Sequence, residues 1–168
     1  IKFDSEGPVL IKLDRISSGK IIKVYKFRTM AENAHLLKKD LAALNERRDG
    51  PFFKIKNDPR VTKIGRILRK LRIDEFPQLI NALKGELSLV GPRPHEPEET
   101  ANYPEKYKSL IQEKSGITGL SQINGASGLP FLKELEYDDY YAKHKSPMLD
   151  LKILLKTVYI LFFDRTGV

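Results

Sequence analysis

The 168-residue sequence predicts an α+β fold, predominantly helical. A small N-terminal β-hairpin packs on amphipathic helices, and a C-terminal helix lies at an interface. Three observations predict this class. The runs Val9-Leu10-Ile11-Lys12-Leu13 and Ile21-Ile22-Lys23-Val24-Tyr25 are rich in strand formers and flank the turn residues Ser17-Ser18-Gly19. Beyond residue 30, apolar side chains recur at helical spacing in segment after segment. No strand–helix–strand alternation of the dinucleotide-binding kind interrupts them. The length suits one domain over residues 1–168, large enough for a real core.

After the hairpin, residues 31–48 read as a surface helix with a narrow apolar stripe of Ala34, Leu37, Leu41 and Leu44. Arg47-Arg48-Asp49-Gly50-Pro51 ends it. Phe52 and Phe53 favour core or membrane-interface positions over substrate contact. Next comes a basic amphipathic segment. Val61, Ile64, Leu68 and Leu71 line one face, and Arg60, Lys63, Arg66, Arg69, Lys70 and Arg72 fill the rest, with no acid before Ile73. The acidic pair Asp74-Glu75 follows. Phe76, Leu79, Ile80 and Leu83 then sit at i, i+3, i+4 and i+7, the spacing of one helix face. Pro77 is tolerated only in a first turn, so this helix begins at residues 74–76 and Gly85 stops it. That start places Asp74 and Glu75 at a helix N-terminus. Taken alone, the pair reads as an N-cap and a charge favoured by the helix dipole. Beside six cations it also suits an anionic ligand. Gly91-Pro92-Arg93-Pro94 returns one more arginine on a stiff turn.

Residues 95–100 read as loop or helix start, and residues 104–114 as a short helix with Tyr107, Leu110 and Ile111 inward. Gly116, Gly119, Gly125 and Gly128 mark either a tight loop that brings backbone to a ligand or a connector. Residues 131–144 read as a helix with Leu132, Leu135, Asp139 and Tyr140 spaced along it. Residues 148–163 are densely apolar but broken by Asp150, Lys152 and Lys156. They form either a buried core helix or a helix half-sunk in a membrane surface with its lysines reaching headgroups.

A net charge of +8 points to anionic partners: nucleic acid, acidic lipid or phosphorylated substrates. The absence of cysteine removes disulfide frameworks and thiolate metal sites. No apolar run reaches the roughly 18 residues of a spanning helix. His35, His95 and His144 share no ligand spacing, and Ser127 lies in Gly-Ala-Ser-Gly, outside the hydrolase elbow. The glycine-rich stretch matches neither a Walker A loop nor a dinucleotide fingerprint. A nucleic-acid binder is opposed by the acidic pair, which repels a polyanion at the end of the basic segment.

The run DPRVTKIGRILRKLRIDEFPQLINALKGELSLVGPRP resembles the core of the bacterial sugar transferases, monotopic polyprenyl-phosphate phosphoglycosyl transferases of the exopolysaccharide-initiating type. Three further stretches agree in order: YKFRTM from Tyr25, GITGLSQING from Gly116 and LDLKILLKT from Leu149. The resemblance covers roughly residues 7–161. It implies a catalytic domain without its upstream membrane segment, since the chain starts at Ile1. The expected setting is the cytoplasmic face of the bacterial inner membrane.

The resemblance also implies a reaction. A sugar-1-phosphate passes from a UDP-sugar to polyprenyl (undecaprenyl) phosphate with release of UMP. Asp74 is then the nucleophile, and Glu75 the partner carboxylate and ligand of a Mg2+ ion, with exchanged roles left open. Arg69, Arg93 and Lys26 bind the substrate phosphates. Arg72 stands where relatives carry a small or polar residue and is left outside this set. A carboxylate beside arginines is expected to stay ionised. The long segment between Met30 and Asp58 favours a UDP-hexose. The competing class is a non-catalytic basic module that binds anionic lipid or nucleic acid.

Overall fold

The computed structural model describes residues 1–47, 49–125 and 128–163. Its N-terminal hairpin pairs β1 (Leu10–Ser17) antiparallel with β2 (Lys20–Phe27), in register from Leu10 opposite Phe27 to Ser17 opposite Lys20. Ser18 and Gly19 turn between them at φ 51° and 70°. Two left-handed residues in a two-residue loop match the right-handed twist of the strands. The strands run to the turn itself, beyond the apolar runs that announce them.

The expected surface helix over residues 31–48 does not form. Only two short 3-10 turns appear, Leu36–Lys38 and Ala42–Leu44, and Leu36, Leu37 and Leu44 stay exposed. A stripe this narrow buries too little to hold a helix, and Asn33 breaks the chain early with a positive φ of 59°. Of the residues expected to end that helix, Arg48 lies outside the described residues. Phe52 enters the core with Tyr103, Tyr107, Leu110, Phe131 and Leu135.

α1 (Lys63–Lys70) starts where Thr62 accepts a hydrogen bond from the Gly65 N–H at 3.0 Å. The basic face divides. Arg60 is buried, paired with Asp58 at 2.6 Å and stacked over Phe53 at 5.1 Å. It anchors the entry to α1 rather than joining a solvated row. Ile67 and Leu71 are exposed.

α2 (Gln78–Leu83) turns its apolar stripe away from the core. Its periodic residues Phe76, Leu79, Ile80 and Leu83 all face outward, while Gln78 and Asn81 are buried. The reason is the edge of β2, whose unpaired backbone groups need polar partners. Asn81 accepts from the Tyr25 N–H at 3.0 Å and donates to the Lys23 carbonyl at 2.9 Å, acting as a substitute strand. Gly85, at φ 74°, ends the helix as expected.

A second, unexpected sheet follows. β3 (Ser88–Val90) pairs parallel with β4 (Gly116–Thr118). Between them lie α3 (Pro97–Thr100), closed by a Glu96–Glu99 capping box, and a 3-10 stretch, Glu105–Gln112, that buries Tyr107 and Leu110. α4 (Leu120–Ile123) leads toward α5 (Phe131–His144). α5 buries Phe131, Glu134, Leu135, Asp138 and Tyr141, and Leu132 and Tyr140 lie on its outer face. Ser127 lies outside the described residues.

α6 (Pro147–Phe163) touches the core through Ile153, which packs with Val90, Ile123 and Tyr141. Tyr141 donates to Asp150 at 2.8 Å and to the Val90 carbonyl at 3.2 Å, tying α5, α6 and β3 together. Leu151, Leu155, Val158, Tyr159, Phe162 and Phe163 remain exposed. Among the described residues no helix is long and apolar enough to cross a membrane.

Candidate active site

The site is assembled where α1 stops. Leu71 closes the helix, and Arg72 takes a left-handed conformation, φ 56° and ψ 20°, with its N–H on the Arg69 carbonyl at 2.9 Å. A non-glycine residue there is strained by roughly 1 kcal/mol. The reversal turns the chain into a 3-10 turn, Ile73–Glu75, and sends Asp74 and Glu75 back toward the helix they follow. The acidic pair thus sits in a tight turn ahead of α2, not in the first turn of α2 itself.

Arg69 is set by how closely α1 packs on the backbone after β2. A Cβ on Gly65 would lie 2.0 Å from the Thr29 carbonyl oxygen, so only glycine permits this contact. One turn later, the Arg69 Nε donates to the Thr29 hydroxyl at 3.0 Å. Lys26, near the end of β2, reaches Glu75 at 2.5 Å. Asn81 fixes β2 against α2 and so fixes where Lys26 meets Glu75.

Arg93 arrives from the opposite side on the Gly-Pro-Arg-Pro turn. The Gly91 N–H donates to the Thr118 carbonyl at 2.9 Å, and the Gly116 N–H to the Pro92 carbonyl at 2.8 Å. A Cβ on Gly116 would lie 2.1 Å from the Gly91 nitrogen. At Gly116 and Gly119 the glycine-rich stretch closes on the backbone of the arginine turn. From α5, Glu134 pairs with the Arg93 guanidinium at 3.8 Å, and Asp138 accepts from the Arg93 N–H at 3.2 Å.

Lys26, Thr29, Arg69, Asp74, Glu75, Arg93 and Glu134 line one open cleft of about 1430 Å³. The structure therefore brings together all five residues singled out in the sequence: Lys26, Arg69, Asp74, Glu75 and Arg93. Their charges act on one another. Burial pushes Asp74 above its ordinary value of 3.8, and Glu75 adds to that, against the pull of Lys26 and Arg69. Burial presses Glu75 the same way, but Lys26, then Arg93 and Arg72, bring it down to about 2. At Asp74 desolvation outweighs the cations. Adjacent carboxylates held apart in proton affinity are the pattern of divided roles in a site. Arg72, outside the set drawn from resemblance, contributes to Glu75's charge.

Sequence reasoning missed Thr29, His95, Glu134 and Asp138. One signal for the α5 acids was available: Phe131, Glu134, Leu135, Asp138 and Tyr141 share one helical face, so the acids lie inside an apolar stripe.

Among the described residues no three His, Cys, Asp or Glu side chains gather as a metal cage. A magnesium ion rarely needs one, since it is bound through one or two carboxylates plus substrate phosphates. Adjacent carboxylates on a cationic cleft fit that donor set.

The family model described as bacterial sugar transferase matches residues 1–164. The chain belongs to the bacterial sugar transferases. It is similar to the "Galactosyl transferase CpsE" of Streptococcus agalactiae, 41% identical over 156 residues, covering 92% of this chain and 34% of that protein. It is 40% identical over 180 residues to the "UDP-glucose:undecaprenyl-phosphate glucose-1-phosphate transferase" of Klebsiella pneumoniae, covering 99% of this chain and 35% of that protein. The "Exopolysaccharide production protein ExoY" of Sinorhizobium fredii is 37% identical over 164 residues, 94% of this chain and 72% of its own length. This transferase chain thus spans about a third of the length of the first two relatives.

Proposed function

We propose that this sugar transferase moves a sugar-1-phosphate from a UDP-sugar to undecaprenyl phosphate, releasing UMP, as the first membrane step of exopolysaccharide synthesis. One observation carries the reading: Asp74 and Glu75 lie side by side in a cationic cleft with their proton affinities driven apart. The names of the relatives support the substrate classes, since one reads UDP-glucose:undecaprenyl-phosphate glucose-1-phosphate transferase.

The chemistry runs in two displacements at one phosphorus. An Asp74 carboxylate oxygen attacks the sugar-bearing phosphorus and the bond to UMP breaks, so UMP leaves with that electron pair. The product is a phospho-sugar on Asp74. An oxygen of undecaprenyl phosphate then attacks the same phosphorus, and the Asp74 carboxylate departs unchanged. Desolvation makes Asp74 a stronger nucleophile than an ordinary aspartate. Glu75, kept anionic, takes the supporting role. Arg69, Arg93 and Lys26 meet the charge spread over the transferring phosphoryl group. Glu75 is the residue to hold Mg2+, which when bound neutralises phosphate charge. The cleft exceeds the roughly 300–1000 Å³ of a small-ligand pocket, in keeping with a nucleotide sugar and a lipid phosphate.

The outward apolar faces of α2 and α6 support attachment to a bilayer surface, where a lipid-borne acceptor is presented. The cytoplasmic face of the inner membrane follows from a nucleotide-sugar donor. The carboxylates in the cleft disfavour nucleic acid.

The deciding experiment incubates the full-length protein with UDP-glucose or UDP-galactose, undecaprenyl phosphate, magnesium and detergent. UMP release is expected, lost in Asp74→Asn and Glu75→Gln. Mass spectrometry of enzyme quenched without acceptor is expected to find a phospho-hexose on Asp74. Release that both variants retain would overturn the roles given to Asp74 and Glu75, and no release from the wild type would leave the non-catalytic basic module as the reading.

A further inference from the structure

Arg93 enters the cleft from a turn gripped from behind by α5. Glu134 and Asp138 lie one helical turn apart on the buried face of that helix, each 1% exposed. One takes the arginine's side chain and the other its backbone N–H. Glu134 is itself fixed. Its Oε1 meets the His95 Nε2 at 3.1 Å, and the His95 Nδ1 meets the Tyr103 hydroxyl. His95 is wedged between the rings of Phe52 and Tyr103.

A carboxylate this deep must be met by cations and hydrogen bonds, or lose its charge. Burial alone would raise Glu134, but His95 and then Arg93 bring it below the ordinary glutamate value. It stands as an anion with a cation at the cleft wall. The Arg93 side chain remains 33% exposed, and the ion pair engages its Nε. The two terminal nitrogens are then left for a forked grip on phosphate oxygens.

We propose that Glu134 is a positioning residue of the transfer site, an anchored anion that aims the Arg93 guanidinium into the cleft beside Glu75 before substrate arrives. His95 and Tyr103 lock that anion in place from the core side. The inference rests on the phosphate-binding role of Arg93 given above. It goes further in assigning the arginine's orientation to α5, about forty residues later in the chain. Without Glu134, a flexible side chain must be ordered at the expense of substrate binding.

A double-mutant cycle tests this in the full-length protein, with Glu134→Gln, Arg93→Ala and the pair together. Two readouts are taken: UMP release from UDP-glucose or UDP-galactose, and UDP affinity by calorimetry. Glu134→Gln is expected to lower both roughly tenfold to a hundredfold. In the Arg93→Ala background the same change is expected to cost less than about twofold, since no arginine remains to aim. A purely structural role for Glu134 predicts instead that the two losses multiply, and that result overturns the proposal. So does Glu134→Gln at wild-type level. Should Glu134→Gln fail to fold, Glu134→Asp replaces it, with the same coupling expected and the same multiplication fatal. Absence of UMP release from the wild type, with coupling intact in UDP binding, refutes the transfer reading but not the positioning. A wild type that does not bind UDP overturns both.

Discussion

Asp74 and Glu75 share a peptide bond, yet their surroundings pull them in opposite directions, Asp74 up and Glu75 down to about 2. The effect on stability follows the signs. Asp74 holds its proton more tightly when folded, so its ionised form is a burden on the folded state above that raised value. The burden fades as pH falls toward 3.8, the value of the unfolded chain. Glu75 does the reverse, adding stability above 4.5 that is lost as pH falls toward about 2. Asp74→Asn is therefore expected to raise the melting temperature at pH 7 while UMP release disappears. The gain should shrink at pH 4, as followed by thermal melts across that range. Such an opposition between stability and activity is common where a site holds an uncomfortable group. A melting temperature that falls at pH 7 would contradict the account of Asp74.

At the scale of elements, α1 shows how a packing distance sets the place of a side chain in the cleft. Gly65 lets the helix lie on the Thr29 backbone, and Arg69 reaches the Thr29 hydroxyl one turn on. Gly65→Ala puts a methyl carbon 2.0 Å from a carbonyl oxygen that cannot swing aside. The expected result is a loss of about 1–3 kcal/mol in stability, as for other overpacked contacts. A fall of at least roughly tenfold in UMP release is expected with it, because Arg69 moves with the helix. Denaturant melts and steady-state rates measure the two effects. Much at this scale was legible in the sequence. The hairpin follows from its strand formers and turn residues, α5 from its periodicity, and the end of α2 from Gly85. The direction α2 faces was not legible. Its period is correct, but a periodic stripe carries no sign, and here the polar edge of β2 claims the polar side. β3 and β4 were hidden for another reason: each is three residues long, and their pairing joins segments 28 residues apart. The five site residues surfaced through the resemblance and the run of charge. Thr29, His95, Glu134 and Asp138 stayed out of view because only the tertiary fold carries them to Arg69 and Arg93.

Over the whole molecule, burial is uneven. The core divides into a cluster around Phe52 and Leu135 and another around Val90 and Ile153. α6 meets the second through one fully buried side chain and leaves Leu155, Phe162 and Phe163 more than 60% exposed. A surface of that kind suits contact with lipid rather than water. Leu155→Glu with Phe162→Glu is expected to reduce cosedimentation with anionic phospholipid vesicles at least about fivefold while the melting temperature changes by less than about 3 °C, since neither residue is buried. Unchanged vesicle binding would detach α6 from the membrane account. The Arg93 turn has a consequence of another kind. Its N–H is held by a residue 45 positions later, whereas Arg69 and the acidic pair are neighbours along the chain. The two walls of the cleft thus come from distant parts of the chain, and the wall that carries Arg93 is complete only once α5 has docked.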